Sequence, residues 1–169
     1  MQTSDPERRD LLDTLGKHRN LLRLTSRHLT DEQAAQRTTV SALCIGGIIK
    51  HVASTEGHWA DFIEHGPSAF PPADASAADV QADSFRMADG ETLAGLLDRY
   101  AAVAERTDAL AVSLYSLNAS HPLPEAPWFP PGTAWSARRV LLHVIAETAQ
   151  HAGHADIIRE ALDGKKTMG

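Results

Sequence analysis

His143, Glu147, His151 and His154 stand close together in the stretch Trp135–Gly164. On an α-helix each residue turns by about 100° and rises by about 1.5 Å, so Glu147 and His151 share a face one turn apart. That spacing lets a carboxylate oxygen and an imidazole nitrogen reach one ion, as two histidines at the same spacing do in zinc proteases. His143 and Glu147 share the spacing, and His151 and His154 approximate it. His143 and His151 are separated by roughly 12 Å of helix rise and do not serve one ion together. The competing reading of Glu147 and His151 is an intrahelical ion pair worth about 0.2–0.5 kcal/mol. The helix by itself does not choose among the adjacent pairs.

A second source of donors lies upstream. His51, His58 and His65 recur every seventh residue and fall near one helical stripe, but only one of them can reach a given site. His51 lies among the apolar Ile48, Ile49 and Val52, whereas His65 comes at the helix end before Gly66-Pro67. Glu56 is about 140° around the helix from His51, so it is expected to pair with a base or to face solvent. His18, His28, His58, His65 and His121 are expected to be satisfied core or rim residues. Cys44, the only cysteine, is expected to pack as a small apolar residue, since nothing near it marks a low thiol pKa.

These residues need elements to hold them. Residues 5–29 read as a first helix, with Asp5 as its cap and Pro6 at its first position. Leu11, Leu12, Leu15, Leu22 and Leu24 form its core face, and Arg8, Arg9, Lys17 and Arg19 are expected to stay wet. Thr30-Asp-Glu-Gln predicts a capped helical turn. A second long helix runs from Ser41 or Cys44 to His65. Gly46-Gly47 inside it costs helix propensity; either a neighbour approaches the backbone closely there, or the helix start frays. Residues 66–89, rich in Pro, Ala, Ser and Asp, predict a long surface excursion. A third helix is predicted from Asp89 to Leu117, then a Pro-rich irregular connection over 118–134. The last helix starts after Ser136 and stops at Gly164, with Val140, Leu141, Val144, Ile145, Ala152, Ile157, Ile158 and Leu162 on its apolar face. Trp59 and Trp135 are expected to pack at helix ends, and Trp128 to anchor its loop or line a pocket mouth. Arg138-Arg139 reads as surface charge or as a holder for an anionic group. With no strand-like alternation or hairpin signal, the expectation is one all-α domain over residues 1–169, a four-helix bundle with two long connections.

Composition excludes several classes. The net charge is −6 with histidines neutral, and Lys and Arg are scattered, which argues against nucleic-acid binding. The charged N-terminal stretch has no secretory core, and no apolar run approaches the ~20 residues of a membrane span. A cytoplasmic protein with no membrane partner is expected, and a reducing compartment is compatible with one cysteine. An apolar helix face left over after core packing would allow a homodimer.

The segments Gly46-Gly-Ile-Ile-Lys-His-Val-Ala-Ser-Thr-Glu-Gly-His-Trp59 and Trp135-Ser-Ala-Arg-Arg-Val-Leu-Leu-His-Val-Ile-Ala-Glu-Thr-Ala-Gln-His-Ala-Gly-His-Ala-Asp156 together resemble the DinB-like superfamily over nearly the whole chain. The resemblance implies a bundle of up-down-down-up order. It implies a divalent metal held by one His of the second helix and two residues one turn apart on the last. These positions fall on His51, Glu147 and His151. Many members carry His where Glu147 stands, but the mycothiol-dependent maleylpyruvate isomerase has the same His, Glu, His set. His154 is the reserve ligand and His143 a neighbour able to hydrogen-bond a ligand. Zinc suits this donor set best, with nickel, iron or manganese also accepted. Members of known activity are mostly transferases or isomerases that use a low-molecular-weight thiol such as mycothiol on an electrophilic small molecule. The resemblance therefore implies a thiol S-transferase; a non-catalytic, metal-binding or apo bundle with a stress-related or interaction role is the alternative.

Overall fold

The computed structural model describes residues 5–70, 84–126 and 129–167. Helix α1 spans Pro6–Thr25, with the Asp5 side chain accepting from the Glu7 N–H and Pro6 in the first turn. It is shorter than its leucine periodicity predicts. The hydroxyls of Thr25 and Ser26 bond back to the carbonyls of Leu22 and Arg23, and the chain turns at His28 with a φ of 60°. Helix α2, Asp31–Ala35, is the predicted turn, closed by a reciprocal Thr30–Gln33 capping box. Helix α3 spans Ile45–His65 and leads into a 3-10 turn over Gly66–Ala69.

Helix α4 spans Leu93–Ser113, starting later than predicted. Residues 88–91 are held as a turn instead, with the Glu91 carboxylate accepting the Ala88 N–H at 2.7 Å and Gly90 at a φ of 83°. Thr92 then caps the helix by accepting from Gly95. Helix α5 spans Ala137–Asp163, capped by Ser136 and ended by Gly164 in the left-handed conformation. The connection before it is not wholly irregular, contrary to expectation. Strands β1 (Ser120–Pro122) and β2 (Ala134–Ser136) pair antiparallel, with His121 opposite Trp135. Three-residue strands are too short to show alternation, which is why the sequence carries no sign of them. Trp128 lies outside the described residues.

Cross-helix contacts fix the helix directions. The Arg8 guanidinium of α1 donates to the carbonyl of Ala111, and Arg23 lies over the Tyr100 ring, so α1 and α4 are antiparallel. Lys50 pairs with Glu91, and Arg106 with Asp61 and Glu64, so α3 runs parallel to α4. Arg138 meets Glu7 at one end and Arg159 meets the carbonyls of Thr25 and Arg27 at the other, so α5 runs parallel to α1. The order is up-down-down-up, as a DinB-like bundle requires.

Two apolar clusters fill the interior. One gathers Leu22, Ile45, Ile48, Ile49, Val52, Leu96, Tyr100 and Ile158; the other gathers Leu15, Trp59, Phe62, Leu117, Val140, Leu141 and Val144. Two expectations are corrected here. Arg8 and Arg19 are buried rather than wet, at 8% and 5% exposure. Arg8 is drawn in by the Ala111 carbonyl and Asp5, Arg19 by Glu56 and Asp108. Buried charges persist when paired in this way. Ile157, expected on the core face, is 63% exposed, because Ala155 and Ile158 take the inward positions beside it.

Candidate metal centre

Antiparallel α3 and α5 bring His51 opposite His151, their ring centroids 4.9 Å apart. On α5, the one-turn spacing puts Glu147 and His151 on one face. His151 Nε2 lies 3.5 Å from Glu147 Oε2, while the other oxygen, Oε1, lies 3.9 Å from His143 Nε2. One donor atom each from His51, Glu147 and His151 falls within 4.8 Å of the others. Donors at ~2.0–2.2 Å from a tetrahedral zinc ion are about 3.3–3.6 Å apart, so the His151–Glu147 separation already suits one ion. Neither separation is a good direct hydrogen bond.

The electrostatics match that donor chemistry. Burial lowers the pKa of His51 to about 4, with a further contribution from the neighbouring His151. Burial likewise lowers His151 to about 4, assisted by His154. At neutral pH both rings are therefore uncharged, the form in which an imidazole nitrogen offers its lone pair to a metal. Glu147 supplies an oxygen from a half-buried side chain. Two neutral imidazoles and a carboxylate from facing helices are a donor set that fits a divalent ion.

The remaining candidates stand around this group. His143 is also lowered below its ordinary value, by burial first and by Arg139 against the opposing pull of Glu147. It sits edge-on to both Trp59 and Trp135, at 4.9 and 5.1 Å. Those two tryptophans stack at 4.8 Å, and the Arg139 guanidinium covers Trp135 at 4.2 Å. Trp135 thus packs at the start of α5, while Trp59 packs within α3. His154 Nδ1 lies 3.5 Å from Nδ1 of His151, against the edge of that ring away from Glu147. His58 and His65 are exposed, and His121 bonds the Ile63 carbonyl at 3.2 Å. Glu56 takes the first of its expected fates, buried and paired with Arg19. Cys44 is buried, and its sulfur accepts the Gly47 N–H as the cap of α3.

Ser84, Phe85 and Thr55 at the site were not singled out in the sequence. Ser84 Oγ lies 3.0 Å from His51 Nδ1 and Thr55 Oγ1 lies 3.4 Å from His51 Nε2. The Phe85 ring stacks on His51 at 3.9 Å. For the segment that carries Ser84 and Phe85 the signal is Gly46-Gly47, where close approach, not fraying, is the outcome. A groove of about 770 Å³ lies elsewhere, lined by Arg23, Arg27, Asp31, Leu93 and Leu97; it opens between α1 and α4, whereas the donors lie between α3 and α5.

An up-down-down-up bundle with two histidines and a glutamate converging from α3 and α5 defines a protein of the DinB-like class. Within that class the chain belongs to the mycothiol-S-transferase family, whose model matches residues 10–164. Among solved structures it is similar to a conserved protein from Enterococcus faecalis, with a TM-score of 0.71 and 15% identity over 98% of this chain and 100% of that one. At that identity the likeness speaks for the fold alone. The comparison with curated proteins returns no match.

Proposed function

We propose that this protein is a mycothiol-dependent S-transferase built around a divalent ion held by His51, Glu147 and His151. The observation that carries the reading is the convergence of these three donors within 4.8 Å, in a chain of the mycothiol-S-transferase family. Zinc is the first choice for two imidazoles and a carboxylate, and nickel, iron or manganese would also accept them. When bound, the ion favours the thiolate form of the cosubstrate, which is the nucleophile. Three protein donors would leave one position of a four-coordinate ion for the thiol, as in catalytic rather than structural zinc centres.

The chain's own residues prepare this site. His51 and His151 stay neutral and keep their lone pairs available. Glu147 contributes negative charge that offsets part of a divalent ion's. Phe85, stacked on His51 and 5.6 Å from the His151 ring, keeps water from one side of the donors. His143 and His154 flank the group and help to orient it. In the reaction a sulfur–carbon bond forms at an electrophilic small molecule. The bond from that carbon to the leaving group breaks, the leaving group departs with the electron pair and the thiol proton passes to solvent; with an epoxide the ring C–O bond breaks, and its oxygen keeps the pair and takes up a proton. Residues 1–169 act as one domain in a cytoplasmic setting, without nucleic-acid or membrane partners. No helix among the described residues is long and apolar enough to cross a membrane. Exposed Leu142 and Ile157 on α5 are where a homodimer would form.

The test is incubation of zinc-loaded, tag-free protein with mycothiol and a chlorinated aromatic or epoxide acceptor. Mass spectrometry is expected to find a thioether conjugate that requires thiol, protein and metal together. Stoichiometric zinc with no conjugate from mycothiol, bacillithiol or glutathione would overturn catalysis and leave the non-catalytic metal-binding bundle.

A further inference from the structure

One short segment of chain meets both the glycine pair of α3 and His51. Residues 84–87 cross the first turns of α3 so closely that a Cβ on Gly47 would overlap the Phe85 carbonyl, and one on Gly46 would overlap the sulfur of Met87. At Gly47 the clash is with backbone, so no flexible side chain can swing aside. The crossing is fastened on both sides. Cys44 Sγ lies 3.8 Å from the Phe85 carbonyl oxygen, and Lys50 Nζ donates to the Arg86 carbonyl at 3.2 Å and to Glu91 at 2.9 Å. From this fixed segment two side chains reach one ring. Ser84 Oγ sits 3.0 Å from His51 Nδ1, and the Phe85 ring lies over the imidazole at 3.9 Å, tilted by 23°.

We infer that residues 84–87 are a positioning strap for His51: Ser84 accepts the Nδ1 proton and Phe85 holds the ring plane, leaving Nε2 unprotonated as the metal donor. This inference rests on the metal reading proposed above. A neutral imidazole exists as two tautomers, and only the nitrogen without the proton can bind a metal. Which one that is depends on the partner of the other nitrogen. A serine hydroxyl at Nδ1 is able to accept that proton, while the Thr55 hydroxyl lies farther off, 3.4 Å from Nε2, a contact long enough for an ion to displace. Of the two contacts that of Ser84 is the shorter, and the assignment of the proton to Nδ1 rests on it. Phe85 adds a second restraint, since a stacked ring blocks rotation of the imidazole out of plane. The glycine pair is then part of the site without touching a donor, because it admits the segment that carries Ser84 and Phe85.

Removing such an outer partner costs about 10–100-fold in metal affinity. The experiment compares wild type with Ser84→Ala, Phe85→Leu and Gly47→Ala, each checked by circular dichroism for native helix content. In metal-free protein at neutral pH, ring ¹⁵N shifts are expected to show His51 of the wild type as the Nδ1–H tautomer, and Ser84→Ala as a mixture. Zinc affinity, measured by competition with a chelator, is expected to fall about 10–100-fold in Ser84→Ala and Phe85→Leu, and comparably in Gly47→Ala. Unchanged zinc affinity and an unchanged tautomer in Ser84→Ala would overturn the strap. Should Gly47→Ala lose its fold, the other two variants decide. Should the wild type bind no zinc, the metal reading fails, and the tautomer comparison still judges the strap by itself.

Discussion

His151 Nε2 lies 3.5 Å from Glu147 Oε2, one helical turn away on the same face of α5. The pair is too long for a strong hydrogen bond and close to the spacing of two ligands on one ion. Replacing either residue is therefore expected to remove metal rather than merely loosen the helix. Glu147→Gln and His151→Ala are expected to weaken zinc binding well beyond the ~10–100-fold typical of an outer partner. His143→Ala and His154→Ala are expected to stay within that range. Elemental analysis of tag-free protein and chelator competition check this; a larger loss in His154→Ala than in Glu147→Gln would give His154 the ligand's place.

The depressed histidines make folding of the metal-free protein sensitive to acid. His51 and His151 have pKa values of about 4 when folded, against an ordinary value of about 6.5. Between these limits the unfolded chain takes up protons at both residues and the folded chain does not. Their contribution to stability is full above pH 6.5 and is lost as the pH falls toward 4. Urea unfolding of wild type and His51→Gln between pH 7.5 and 4.5 is the measurement. The variant is expected to show a slope shallower by about one proton; identical slopes would contradict the buried neutral His51.

The parts of this molecule that follow local rules are visible in the sequence. Asp5-Pro6, Thr30 with Gln33, Ser136 and Gly164 are local cap chemistry, and each stands where its residue type predicts. The Glu147–His151 pair is equally local, since helical geometry alone sets it. The partnership of His51 with that pair is not local. Its stripe offered three histidines, and resemblance to known proteins pointed to one of them. Arg8 and Arg19 depart from their expected wet positions because each is stabilised by partners from other helices, which one-dimensional periodicity does not contain. Ser84 and Phe85 escaped for the same reason, being carried on an aperiodic connection. Only Gly46 and Gly47, which that connection crosses at Phe85 and Met87, carry a mark of it in the sequence.

Cys44 is expected to be a structural thiol. Its sulfur is buried, accepts the Gly47 N–H at 3.4 Å and lies near the Phe85 carbonyl, so a reagent reaches it only when this end of α3 opens. A thiol-specific colour reagent is expected to label it many times more slowly in the native protein than in urea. Cys44→Ala, which removes the cap acceptor, is expected to cost about 1 kcal/mol in urea unfolding. Equal labelling rates in native and unfolded protein would show that the end of α3 is open.

Arg19 and Glu56 place a full charge pair inside the bundle, the carboxylate at 1% exposure. Taking two ions from water is costly, and the attraction between them roughly offsets that cost, so the pair itself adds little to stability. Breaking it is another matter. Glu56→Gln leaves the guanidinium buried with Asp108, at 2.7 Å, as its remaining carboxylate. That variant is expected to lose about 3 kcal/mol, the low end of the range for an orphaned buried charge, because Asp108 still neutralises part of it. Arg19→Met with Glu56→Leu removes both charges and fills the space with apolar groups, so it is expected to recover most of the loss. Urea denaturation of this double variant and of the singles Arg19→Met and Glu56→Leu completes a cycle that isolates the coupling. The double variant should also keep its zinc affinity, since neither residue belongs to the His51, Glu147 and His151 group. A double variant as unstable as Glu56→Gln would mean that this ion pair holds α1 against α3 more strongly than apolar packing can.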